Sequence, residues 1–240
     1  MYIQGFVVPV PEGKKDAYDK MARDAAPFFT KYGAARIVEC WGDQVPHGET
    51  TDMYRAVNAE EGESVVFSWI EWPSKQVLDE AHKAIVEDED MKPPPDMPFD
   101  GKRMVFAEFE LIGEKGEGGA TGYVQGYVAP TPKAKRDEFA AMCATMRDIA
   151  IDCGALRAVD SWAEVIEHGK LTDFNRAVKA EDDEAVAFGF SEWPSKEAYE
   201  TGMTKMHEDS RMPPPGSVMP IDGRRLIFGG FDVLLDTDQE

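Results

Sequence analysis

Apolar residues crowd Tyr2-Ile3-Gln4-Gly5-Phe6-Val7-Val8 and return at Tyr123-Val124-Gln125-Gly126-Tyr127-Val128, each run closed by a proline, Pro9 or Pro130. Short runs of this kind read as strands. The period then changes. Tyr18, Met21, Ala22, Ala25, Phe29 and Tyr32 fall at three-and-four spacing, as do Phe139, Met142, Cys143, Met146 and Cys153, which predicts an amphipathic helix in each half. Gly33 and Gly154 stand where a left-handed C-cap ends such a helix, and Pro27 predicts a bend in the first helix only. Strands are expected at 36–43 and 157–164, short strands at 53–57 and 174–178, and main strands at 65–71 and 186–192. Ser74 and Ser195 read as N-caps of a second helix reaching residues 88 and 208. Proline-rich loops at 93–95 and 213–215 follow, and strands at 103–111 and 225–234 close each half.

The halves are copies of one another. Glu71-Trp72-Pro73-Ser74-Lys75 recurs as Glu192-Trp193-Pro194-Ser195-Lys196 at an offset of 121, and a one-residue insertion later moves the offset to 122, so Asp100-Gly101 matches Asp222-Gly223. A long unit present twice is a duplicated domain, because solenoid units are shorter and more numerous. The expected boundaries are 1–112 and 123–236, joined by a Gly-rich flexible linker at 113–122. Each copy orders as β-α-β-(β)-β-α-β, the ferredoxin-like unit, an α+β fold. Such a unit leaves one sheet face bare. The other copy is the natural cover, giving an intramolecular pseudo-dimer whose strands could close a barrel and remove the exposed edges.

Charge and cysteine usage narrow the partners. The net charge is −20, which repels nucleic acid and anionic membranes. Cys40, Cys143 and Cys153 are odd in number and unrepeated between copies, so they form no disulfide framework. The apolar N-terminus has no basic region before it and a proline within it, unlike a signal peptide or membrane span. The expectation is a cytoplasmic, acidic protein, a monomer acting as a fused dimer with further self-association open to it.

Two sets of residues offer chemistry. On the strand at 65–71 one face carries Val65, Phe67, Trp69 and Glu71, repeated as Val186, Phe188, Phe190 and Glu192, and is assigned to the core. Glu71 and Glu192 at its end are candidate general bases, with arginine pairing as the bland alternative. Arg36, Arg55 and Arg103, repeated as Arg157, Arg176 and Arg225, are candidate anchors for an anionic small molecule, and ion pairing is again the alternative. Trp41, Trp72, Trp162 and Trp193 could line a pocket, though such residues more often pack in cores. His47 and His168 read as solvated turn residues. His82 is matched by Met203 in the other copy and so is no paired site. No metal-ligand spacing, phosphate loop, dinucleotide fingerprint or nucleophile elbow is present, and no metal or cofactor is expected.

Gly5-Phe6-Val7-Val8-Pro9-Val10-Pro11, Tyr32-Gly33-Ala34-Ala35-Arg36, Val38-Glu39-Cys40-Trp41-Gly42-Asp43, Phe67-Ser68-Trp69-Ile70-Glu71-Trp72-Pro73-Ser74-Lys75 and Met97-Pro98-Phe99-Asp100-Gly101-Lys102-Arg103-Met104 resemble the YbaA-like family, domain-of-unknown-function family 1428. The second copy resembles a diverged member, with Ser161-Trp162-Ala163 replacing Cys40-Trp41-Gly42. The resemblance implies the dimeric α/β-barrel superfamily, whose members usually pair as single-domain homodimers. It also implies distant kinship with antibiotic-biosynthesis-type monooxygenases, muconolactone isomerases and haem-degrading enzymes. The functional expectation is a small-molecule enzyme, monooxygenase- or isomerase-like, whose pocket lies between sheet and helices. The alternative is a non-catalytic small-molecule binding or stress-related protein. Where one copy has lost activity, the second is the expected one.

Overall fold

The computed structural model describes residues 1–88, 96–214 and 216–239. Eight antiparallel strands close into one barrel: β1 (Tyr2–Pro11), β2 (Arg36–Gln44), β3 (Glu63–Trp72), β4 (Val105–Gly116), β5 (Tyr123–Pro132), β6 (Arg157–Ala163), β7 (Glu184–Trp193) and β8 (Ile227–Asp236). Their order around the barrel is β1-β3-β2-β8-β5-β7-β6-β4. Each repeat supplies four adjacent strands, and the repeats join at two seams, β2 on β8 and β4 on β6. Closure leaves the barrel no open edge.

Long helices cover the outside: α1 (Lys15–Lys31) and α3 (Lys75–Glu87) from the first repeat, α4 (Arg136–Asp152) and α6 (Lys196–Glu208) from the second. Period-2 alternation sorts the core into layers. Val65, Phe67 and Trp69 enter the barrel interior, where they meet Val186, Phe188 and Phe190 of the other repeat. Val66, Ile70 and Trp72 face outward under α1 and α3, beside Tyr18 and Leu78. Ser74 and Ser195 accept from Val77 N and Ala198 N at 3.3 and 3.2 Å, capping α3 and α6. Gly33 and Gly154 hold φ of 99° and 110°, the left-handed conformation that ends α1 and α4.

Two expectations change. The short strands at 53–57 and 174–178 are single helical turns, α2 (Met53–Ala56) and α5 (Phe174–Ala177). The cause is a cap: Asp52 and Asp173 accept from Arg55 N and Arg176 N at 2.8 and 2.9 Å. Helix α1 runs unbroken through Pro27, which sits on its exposed face while Tyr18, Ala22 and Ala26 hold the buried side. Residues 113–116, expected as linker, belong to β4, and Gly116 pairs with Arg157. The prolines at 93–95 and the end of the acidic run at 89–90 lie outside the described residues, as does Pro215. Among the described residues no helix is long and apolar enough to cross a membrane.

Candidate functional site

Four of the twelve residues singled out from the sequence meet at one end of the barrel. Arg36 and Glu71 are cross-strand neighbours, as are Arg157 and Glu192, yet each guanidinium reaches the glutamate of the other repeat. Arg36 donates to both oxygens of Glu192 at 2.9 and 2.8 Å and to both of Asp236 at 2.9 and 2.7 Å. Arg157 donates to both oxygens of Glu71 at 2.6 and 3.1 Å and to Glu114 at 2.9 Å. Asp236 and Glu114 are themselves repeat equivalents, so the network has two-fold pseudosymmetry. Trp69 Nε1 donates to Glu71, and Thr121 Oγ1 donates to Glu192. Burial lowers the Arg36 pKa, but hydrogen bonds to Asp236 and Glu192 outweigh it and hold it above its ordinary value. Desolvation pushes Asp236 up, and the Arg36 hydrogen bonds bring it net below the usual carboxylate range. Paired charges so enclosed suit a structural lock.

The other singled-out residues do not join them. Arg103 clamps Glu63 at 2.6 and 2.8 Å, and Arg225 clamps Glu184 at 2.7 and 2.8 Å. Arg55 and Arg176 donate to the carbonyls of Gly48 and Gly169. All six arginines thus have partners within the chain, carboxylates for Arg36, Arg157, Arg103 and Arg225, and backbone carbonyls through Nη1 for the half-exposed Arg55 and Arg176. Trp72 and Trp193 are core residues; Trp193 Nε1 donates to Ser191, and Trp72 Nε1 has no partner among the described residues. Trp41 is buried with Lys15 over its ring, and Trp162 packs on Phe139.

A cavity of about 610 Å³ lies elsewhere, on the outer face of β1 and β4 beside α3, with residues 165–173 of the second repeat as its far wall. His82 of α3 lines it. Its Nδ1 is 3.2 Å from Glu108 Oε1, and its Nε2 is 3.2 Å from the Gln4 amide nitrogen. The tautomer with the proton on Nδ1 satisfies both contacts: Nδ1–H donates to Glu108, and Nε2 accepts from Gln4. Gln4 and Glu108 are cross-strand partners on β1 and β4, so the sheet fixes both. Lys75 bridges Glu108 at 2.9 Å and also Asp79; these hydrogen bonds, Asp79 first, raise its pKa. From the far wall His168 contributes an imidazole whose Nδ1 is 3.2 Å from Asp173 Oδ2.

The equivalent place in the second repeat is filled. Met203 replaces His82 and Gly230 replaces Glu108. A Cβ on Gly230 would fall 2.2 Å from Tyr123 Oη, so glycine lets the tyrosine lie across the strand. Tyr123 and Lys196 then bind Asp43 at 2.9 and 2.6 Å, and Gln44 binds Glu200 at 2.7 Å, tying the end of β2 across the gap. The groove with the imidazole is open; its twin is shut. Reading for residues repeated in both copies passed over His82, and the usable signal was the opposite one, a titratable group present in one copy alone.

The DUF1428 profile, for a protein of unknown function, matches residues 1–101 and 122–223, once per repeat. The chain belongs to the DUF1428 family. The uncharacterized protein YbaA of Escherichia coli K12 is 57% identical over 112 residues, covering 46% of this chain and 96% of YbaA; YbaA of Shigella flexneri matches equally. Among solved structures, a candidate monooxygenase from Fusobacterium nucleatum superposes with a TM-score of 0.55 at 11% identity, covering 98% of this chain and 93% of its own. An anthrone oxidase-like protein gives 0.50 at 15% identity, covering 98% and 92%. A candidate monooxygenase from Lactobacillus acidophilus gives 0.50 at 10%, covering 98% and 94%. At these identities the likeness concerns the fold, and it makes the DUF1428 chain a fused dimeric α/β-barrel.

Proposed function

We propose that the protein is a small-molecule enzyme of the dimeric α/β-barrel type in which the first repeat's groove carries out proton transfer, nearer to isomerisation than to oxidation. The carrying observation is the Glu108–His82–Gln4 chain on the wall of a cavity of about 610 Å³. An imidazole whose Nδ1–H is held by a carboxylate presents Nε2 as a proton acceptor and stabilises the cation formed on accepting a proton. In this reading a ligand proton displaces the Gln4 amide from Nε2, His82 acts as base, and Glu108 positions it. Glu71 and Glu192, the bases expected from the sequence, have their lone pairs taken by Arg157 and Arg36. Their proposed role is architectural.

The test is a screen of carbonyl compounds for deuterium uptake from D₂O, followed by variants on any compound that exchanges. His82→Gln should cost roughly 10²- to 10⁴-fold, the range for loss of a general base. Glu108→Gln should lower the rate and shift its pH profile. The double variant Glu71→Gln with Glu192→Gln should lower thermal stability while sparing exchange in whatever remains folded. Exchange that survives His82→Gln and disappears with the glutamate pair would return the base role to Glu71 and Glu192.

A further inference from the structure

The floor of the His82 cavity is apolar, formed by Tyr2, Met104, Phe106 and Ile166, and Phe106 is 52% exposed with its ring stacked on Phe6 at 6.0 Å. Its walls carry four carboxylates, Asp79, Glu108, Glu167 and Asp173, against one ammonium, Lys75, which is already bridged to two of them. Arg176, behind the far wall, lies 3.4 Å from Asp173, so the acidic groups still exceed the basic ones by two. A like-signed cleft with low-dielectric walls concentrates the opposite charge, and the net charge of −20 adds to the same field. An exposed aromatic face attracts a cation as well. We propose that the groove selects an organic cation, an amine with an aromatic or apolar body, over an anion of the same shape. This rests on the groove being the functional site, and it reverses the anionic ligand expected from the repeated arginines.

Three probes of one shape and different charge separate the possibilities: benzylamine, benzyl alcohol and benzoate, titrated into the full chain and followed by NMR at residues of the groove. At low ionic strength benzylamine should bind about tenfold or more tightly than benzoate, since four wall carboxylates outnumber the cationic side chains bound to them and act within a Debye length. The difference should shrink in 0.5 M salt, as screening at about 4 Å requires. Phe106→Leu should weaken benzylamine about threefold, the size of an exposed cation–π contact, and leave benzyl alcohol nearly unchanged. Benzoate binding in the groove as well as benzylamine would overturn the charge preference and leave the groove standing as a site. Benzylamine shifts scattered over the acidic surface, with the groove unmoved by all three probes, would overturn both readings.

Discussion

Glu39 shows how one residue's surroundings set its chemistry. It lies on the outer face of β2, under α1, accepting from Tyr18 Oη at 2.8 Å. Burial is the largest influence on its carboxyl and raises it from 4.5 to about 7, against the lowering hydrogen bonds from Tyr18 and Ser68. The second repeat answers the same position, Asp160, with an arginine, Arg147, and a second tyrosine, Tyr127. The first repeat has Ala26 where Arg147 stands. A carboxyl that holds its proton more tightly folded than unfolded weakens the fold as pH rises from the ordinary value through the raised one. Stability is therefore fully present below about pH 4.5 and is lost progressively up to about pH 7. Glu39→Gln keeps the acceptor for Tyr18 and removes the titration. Its melting temperature should match the parent at pH 4.5 and exceed it at pH 8; equal gains at both would mean packing, and no gain would mean the carboxylate is satisfied. At this scale the sequence was legible where identity and local spacing suffice, as with the Ser74 and Ser195 caps and the arginine–glutamate pairing. It was not legible that Arg36 passes over its ladder neighbour Glu71 for Glu192, a choice made by barrel closure between residues 156 positions apart.

Among elements, β1 and β5 come closest to the opposite repeat through two glycines. A Cβ on Gly5 would stand 2.7 Å from the Phe188 ring, and one on Gly126 would stand 2.6 Å from the Phe67 ring. Phe67 and Phe188 stack on each other with centroids 4.6 Å apart and ring planes nearly parallel, 3° from one another. Each repeat thus lends a flat strand segment against which the other's phenylalanine lies. Glycine in a strand interior weakens the strand unless something must approach it closely, and here an aromatic ring does. Gly126→Ala should destabilise by about 1–3 kcal/mol through overpacking, despite alanine's better backbone entropy. Urea unfolding would measure it, and a stabilised variant would show that the ring pair can slide aside. The inward face of β3 could be read by setting the copies side by side, because Val65, Phe67 and Trp69 stay bulky as Val186, Phe188 and Phe190, whereas Ile70 on the other face becomes Ser191. The turns α2 and α5 could not. Four residues are too few to show a helical period, and Met53 and Val57 satisfy a strand pattern equally well; only the capping aspartates one residue earlier distinguish the two.

For the whole molecule, fusion is what permits the two grooves to differ. In a homodimer any loss in one groove is a loss in both, whereas here Gly230 and Met203 close one side while Glu108 and His82 stay on the other. The shared interior still demands both halves. Arg36 finds its four hydrogen-bonded oxygens in the second repeat, and β2 and β4, each paired on one side within the first repeat, find their second partners in β8 and β6. A chain of residues 1–117 alone would bare two strand edges and the inner face carrying Phe67 and Trp69, too much apolar area for a small domain to leave in water. By symmetry it holds what it lacks: Glu71 can stand in for Glu192, and Glu114 for Asp236. A relative 57% identical over 112 residues, which make up 96% of its own length, shows that one unit suffices as a sequence. The fragment should therefore form a homodimer whose melting temperature rises with concentration, while co-expression with residues 120–240 should give a one-to-one complex of higher stability. Light scattering on the eluting species decides it. A folded monomer of 1–117 would mean that the inner face can be covered without a second repeat, and the closed barrel would then be a consequence of the linker's tether. A stable homodimer would place the specificity in the strands themselves, with the linker contributing only local concentration.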